Sequence, residues 1–269
     1  MHRNPIPHDP LADVLPIATL WWREVVRFCR QRSRLVGAFA QPLVFWLLLG
    51  SGLNPSFRPP GTPEGTSYVE YFYPGIIALV LLFTAIFATI SVVQDRREGF
   101  LQGVLVAPVP HWSIVLGQAI GGTTLAMLQG VLFLPLAPLA GISLTSLSVF
   151  SVVAVMFLVS FGLTNLGLVI AWRMDSTQGF HAIMNLILIP IWLLSGAFFP
   201  ASGVPTWLEW VMRLNPLTYG MAALRRCLYL GNPTVAAEVP GLAPSLVITA
   251  LFSVLAFAAA TRAARRSRA

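Results

Sequence analysis

Lysine is absent from all 269 residues, and charge of either sign is scarce, with seventeen arginines and ten acidic residues making up 10% of the chain. A phosphate-cradling P-loop needs its lysine, so no nucleotide-binding motif of that kind is expected. No aspartate or glutamate falls within any of the six long apolar runs, whereas proton- or sodium-coupled carriers usually keep an ionisable group at membrane depth. If such a chain moves a substrate uphill, another subunit supplies the energy. Only two cysteines occur, Cys29 and Cys227, too few for a disulfide framework. The four histidines, His2, His8, His111 and His181, are scattered without ligand spacing, so no metal site is expected.

What fills the sequence instead is apolar. Hydrophobic residues make up 56%, mean hydropathy is +0.75, and the apolar residues come in unbroken blocks without period-two or heptad patterning. A hydrocarbon core of about 30 Å takes about 20 helical residues to cross, and only helices or closed barrels satisfy their backbone groups there. Six segments qualify: 35–53, 73–93, 112–134, 147–172, 181–199 and 243–260. None alternates as a barrel strand does, so the expectation is an all-α integral membrane protein, a single transmembrane domain over 1–269 with six spans. The first span follows a long basic arm and lacks a short apolar core with a small-residue cleavage site, so it is read as a retained helix.

Basic residues near span ends stay on the cytoplasmic side. With the N-terminus inside, cytoplasmic segments hold Arg3, Arg23, Arg27, Arg30, Arg32, Arg34, Arg96, Arg97, Arg173, Arg262, Arg265, Arg266 and Arg268. The outer loops hold only Arg58, Arg213, Arg225 and Arg226. Both termini are therefore expected in the cytoplasm, and the net charge of +7 is an orientation signal rather than a nucleic-acid footprint. This topology puts Cys29 and Cys227 on opposite faces, which leaves for Cys227 either a bond to a second copy or plain packing.

Ahead of the first span, an interfacial helix is expected over 16–34. Arg23, Arg27, Arg30 and Arg34 share one face, and Trp21, Trp22, Val25, Phe28 and Cys29 fall mostly on the other. The guanidinium groups would face anionic lipid or an acidic partner; an anchor that only fixes topology explains the pattern equally well. The loop over 94–111 then carries a charged turn, Asp95, Arg96, Arg97, Glu98 and Gly99, running into Phe100, Leu101, Val104 and Leu105 before Pro108 and Pro110 force a stop. Leu101, Val104 and Leu105 share a helix face that must bury against either the chain's own spans or a docked partner.

Residues 200–242 form an outer segment too apolar for a plain loop. Pro216 suits a helix start after Asn215, and Gly231 with Pro233 suits its end. Helices this short cannot span. They are expected to re-enter the outer leaflet or lie on it, with Trp207 and Trp210 at the interface and Arg225 and Arg226 snorkelling toward headgroups.

The order of a basic amphipathic helix, six spans, the turn of Arg97, Glu98 and Gly99 leading to Ala107, Pro108 and Val109, and Asn215, Pro216, Leu217, Thr218 and Tyr219 after span five resembles the permease subunit of type-2 ATP-binding-cassette exporters. The likeness is to the bacterial group of daunorubicin-type drug exporters and nodulation lipo-oligosaccharide exporters, and it covers the chain from about residue 20 to the last span. It implies a bacterial inner-membrane permease working as a homodimer or with a related permease. Each half would be bound to a separate cytoplasmic ATPase holding ATP and magnesium, with no cofactor in this chain. It further implies ATPase-coupling roles for Arg97, Glu98, Gly99, Phe100, Leu101 and Val104, and an outer gate at Asn215, Pro216 and Tyr219. Where the family often has a second acid in the turn, this chain has Gln102.

Polar residues inside the spans are few: Gln41, Thr84, Thr89, Thr123, Thr124, Gln129, Asn165, Asn185 and Ser195. Such groups bond neighbouring helices more often than ligands, and Gly117 with Gly121 is a spacing for close helix contact. By the resemblance, the substrate path runs between two copies along spans two and five, with Phe83, Thr84, Phe87, Asn185, Phe198 and Phe199 as candidates. With no buried charge, the path suits an amphipathic, lipid-linked or drug-like substrate better than an inorganic ion. Pro42 and Pro190 would bend spans one and five, as static kinks or as hinges.

Two other classes compete. An intramembrane protease would use Ser195 with His181 as base, but 14 residues of one helix separate them, about 21 Å. A passive channel or scaffold would be favoured by a charged or glycine-rich filter, which the sequence does not contain.

Overall fold

A segment that is apolar on every side can satisfy itself only by being surrounded, so the most apolar helix should occupy the centre. The computed structural model describes residues 10–30, 32–53, 67–106, 109–201, 204–232, 236 and 239–266. Arg3, Arg58, Ala107, Pro108, Pro233 and Arg268 lie outside these, as do the side chains of Arg32, Arg34 and Leu105. The described elements are α1 (Pro10–Arg30), α2 (Arg32–Leu53), α3 (Tyr68–Ala88), α4 (Ile90–Arg97), α5 (Phe100–Val106), α6 (His111–Phe133), α7 (Ser146–Ala171), α8 (Thr177–Trp192), α9 (Thr206–Leu214), α10 (Pro216–Leu228) and α11 (Leu242–Arg266).

α3 is the central helix: every residue from 71 to 82 is buried. It opens on Ser67, whose hydroxyl accepts from the Glu70 amide at 3.1 Å, and pauses at Thr89 before continuing as α4. α2, α6, α7 and α8 pack around it, and α11 lies along α7. Small residues allow these approaches. A Cβ on Gly162 would stand 2.6 Å from the Ser253 hydroxyl of α11, which itself donates to the Leu158 carbonyl at 3.0 Å.

Five described helices are long and apolar enough to cross a membrane: Tyr68–Arg97, His111–Ala140, Ser146–Ala171, Thr177–Ala197 and Leu242–Arg266. The remaining expected span corresponds to α2, whose described apolar stretch, Phe39–Leu53, is shorter. Two ends differ from expectation. α6 runs on as a 3-10 helix to Ala140, because Pro135 and Pro138 lack the amide donors of a regular α-helix, and Gly141 closes it at φ 85°. The segment expected as one span over 181–199 does not end as a helix. α8 passes through Pro190 unbroken, turns as a π-helix over Leu193–Ala197 and breaks at Gly196, φ 80°. The positive φ explains a glycine there.

Candidate functional site

The arginine-rich end of the bundle is organised by one carboxylate. The last turn of α4 brings Asp95, only 1% exposed, against α1. Arg23 donates to both its oxygens at 2.5 Å, and Arg27 donates to Oδ1 at 3.0 Å. Two bonds from one guanidinium fix orientation as well as distance. The Arg23 guanidinium also lies 3.9 Å from the Phe100 ring centroid, which ties α1 to α5. Arg27 reaches Glu98 at 4.0 Å.

α1 can lie this close because α6 offers glycines. A Cβ on Gly117 would stand 3.0 Å from the Ile17 carbonyl oxygen, and one on Gly121 would stand 2.9 Å from the Glu24 Cβ. Trp21 donates to the Thr124 hydroxyl at 3.0 Å. Glu24 is buried in this contact. Its carboxyl is pushed above the usual range, first by burial and then by the Asp95 charge, with Ser91 and the two arginines opposing. The basic face of α1, expected to meet lipid or a partner, thus turns two arginines inward onto an acid of its own chain; Arg30 is exposed.

The neighbouring arginines bind the other side. Arg96 donates to the Trp172 carbonyl at 2.7 Å and to Asp175 at 2.9 Å, and Arg97 lies 3.4 Å from the Thr177 hydroxyl. α4 is therefore held between α1 and the α7–α8 turn. Gly99 makes the sharp turn into α5 at φ 78°. Beyond it Leu101 is buried, Val104 is half-buried, and Glu98, Gly99 and Phe100 are exposed.

A cavity of about 630 Å³ opens between α2, α3 and α8. Phe83, Thr84, Phe87 and Asn185 line it together, as do Gln41, Pro42 and His181, with Phe28 and Gln94 toward the arginine-rich end. His181 packs its ring on Phe87 at 5.2 Å between centroids. Phe198 and Phe199 are not in its lining. Phe198 belongs to an aromatic cluster with Tyr68, Phe72 and Trp192 beside the Gly196 break. Most other polar span residues serve the bundle: Thr84 donates to Gln129, Thr123 to the Ala119 carbonyl and Asn165 to the Phe161 carbonyl.

At the opposite end Asn215 caps α10, accepting from the Leu217 amide at 3.0 Å while donating to the Ile191 carbonyl at 2.6 Å. Pro216 fills the first position of α10, and the Tyr219 hydroxyl donates to the Arg213 carbonyl at 3.0 Å. α10 packs against α3, α7 and α11. The snorkelling expected of Arg225 is overturned. It is 3% exposed, donates to the Tyr71 and Gly196 carbonyls at 3.3 Å each, and stacks 4.2 Å over Tyr71. The break at Gly196 frees a carbonyl that needs a donor. Arg226 also turns to the chain, donating to the Pro240 and Val239 carbonyls at 2.7 Å.

Ser195 is buried with its hydroxyl donating to the Trp192 carbonyl at 2.6 Å, while His181 sits in the cavity, so the two are not brought together. Cys29 is exposed and Cys227 buried, both free. Among the described residues no group of three or more His, Cys, Asp or Glu could hold a metal. Sequence reasoning passed over Asp95 as a clamp; its one local signal is an acid beside two arginines in a chain with few acids.

The family described as "ABC-2 type transporter" matches residues 16–229. Nodulation protein J of Rhizobium leguminosarum bv. trifolii is 28% identical over 219 residues, covering 80% of this chain and 82% of that protein. A protein named as the ycf38 transport permease of Cyanophora paradoxa is 26% identical over 206 residues, covering 76% and 70%. One named as the multidrug ABC transporter permease YbhR of Escherichia coli K12 is 28% identical over 198 residues, covering 71% of this chain and 52% of that protein.

Proposed function

The chain belongs to the ABC-2 type transporter family, and from that premise we propose that it is the membrane-spanning permease of an exporter driven by a separate cytoplasmic ATPase. Two copies, or this chain and a related permease, form the substrate path. α2 completes a set of six spans, both termini face the cytoplasm of a bacterial inner membrane, and α9 with α10 enters the outer leaflet. ATP and magnesium belong to the partner.

The observation that carries this reading is the grip of Arg23 and Arg27 on Asp95. A partner pressing from below must meet something stiff, and the exposed turn of Arg97, Glu98, Gly99 and Phe100 sits on such a unit. α1, α4 and α5 are tied together there, and α4 continues α3, the most buried helix in the bundle. Displacement at the turn is passed on as rigid-body motion of α3, which lines the cavity. At the far end, Asn215, Pro216 and Tyr219 hold the outer gate against the broken end of α8.

Purification from its native membrane in mild detergent tests the reading. The expected result is an ATPase that co-purifies with the chain, and a Glu98→Ala variant that inserts normally but exports poorly. Recovery of the chain without any ATPase, together with unchanged export by that variant, overturns it.

A further inference from the structure

The cavity between α2, α3 and α8 has a lining whose chemistry is one-sided. Phe28, Phe83 and Phe87 supply apolar walls, and the polar groups are the amides of Gln41, Gln94 and Asn185 with the imidazole of His181. Among the described residues no aspartate, glutamate or arginine lines it. The nearest acid in sequence, Asp95, has both oxygens taken by Arg23 and Arg27. Thr84 is already bound to Gln129.

Gln41 and Asn185 line the cavity yet are exposed, and neither has a hydrogen-bond partner among the described residues. An amide left facing hydrocarbon without a partner is unfavourable. Two such groups on one cavity, with an exposed imidazole beside them, call for something polar to occupy it.

We propose that this cavity binds the uncharged, hydrogen-bonding head of an amphiphile and discriminates against organic cations, with Gln41, Asn185 and His181 reading the head. The assignment rests on the cavity being part of a transport path, and it specifies what enters. Its volume suits a drug-sized molecule or the head of a larger one. Each amide offers two donors and an acceptor, a match for hydroxyl and amide groups. An ammonium entering this space loses its hydration and meets no counter-charge. The aromatic faces return less than desolvating the ion costs. His181 neutralises no cation in either protonation state.

The test uses the permease with its ATPase in lipid nanodiscs and two radiolabelled probes of equal chain length, decyl glucoside and decyltrimethylammonium, each below micelle-forming concentration. Binding above that of empty discs is expected to favour the glucoside by about tenfold or more. Gln41→Leu and Asn185→Leu should each erode that preference, Gln41→Asn should keep most of it, and Gln41→Glu should shift it toward the ammonium. Equal binding of the two probes, or a preference untouched by the leucine variants, overturns the proposal. So does a change of oligomeric state in those variants with probe binding intact, because the amides would then belong to a contact between copies. If the glucoside binds with the stated preference but ATP drives movement of neither probe, the transport reading fails while the cavity assignment stands. If ATP moves both probes equally in wild type and leucine variants, the assignment fails and the transport reading stands.

Discussion

Asp95 and Glu24 are two buried acids near the same arginines, and Asp95 is the one that accepts their hydrogen bonds. Asp95 has three hydrogen bonds from guanidinium groups, so removing it strands Arg23 and Arg27 at the α1–α4 contact. Because both arginines are partly exposed, Asp95→Ala should cost roughly 2–3 kcal/mol, less than a fully buried pair would. Glu24 is held above its unfolded-state pKa, mainly by burial. The native chain therefore keeps that proton longer than the unfolded chain, and the stability it contributes at low pH is lost as pH rises through the folded value. Thermal unfolding in detergent across pH should show Asp95→Ala melting earlier at neutral pH, while Glu24→Gln melts no earlier than wild type and has a flatter pH curve. A Glu24→Gln variant that loses stability at neutral pH would contradict this account of the site. Neither role could be read locally, because Asp95 lies 72 residues from Arg23. Arg225 departs from the snorkelling its sequence suggests for a similar reason: its acceptors, Tyr71 and Gly196, come from two other segments.

Among the elements, α1 carries the most consequence for its size, because it reaches α4, α5 and α6 at once. Its seat on α6 depends on Gly117 and Gly121, where a side chain would run into the Ile17 carbonyl and the Glu24 stem. Gly121→Leu should therefore destabilise the chain by about 1–3 kcal/mol and weaken co-purification of the ATPase. Gly103→Ala, in the exposed part of α5 with open space around it, should do neither. Equal behaviour of the two variants would mean that the α1–α6 contact is not what holds the proposed coupling turn. The glycine spacing is a close-contact signal in the sequence, and its partner in the structure is α1 rather than another expected span. Helices long enough to cross a membrane were legible because length and unbroken apolarity are local properties. Their ends were less so. Pro190 drew attention as a bend in α8, yet the chain breaks at Gly196, where a left-handed backbone and a carbonyl awaiting Arg225 become apparent only once α10 has folded back. Four of the six residues expected along a path lie on one cavity because 83, 84 and 87 share a face of α3 opposite Asn185; Phe198 and Phe199 lie beyond the break.

At the scale of the molecule, a stiff arginine-rich end, a cavity beside the central helix and a broken-helix end follow one another along α3 and α4. The chain has no lysine, and the two acids of its central apolar helix, Glu70 and Asp95, sit near the two ends of Tyr68–Arg97 rather than midway along it. On the proposed reading this architecture supplies a path and a lever, and the force comes from the partner ATPase. The direct measurement is uptake of a short-chain fluorescent amphiphile by liposomes holding the chain alone or the chain with its ATPase, each with and without ATP. Accumulation against a gradient only when ATPase and ATP are both present is the predicted result; accumulation by the chain alone would contradict it.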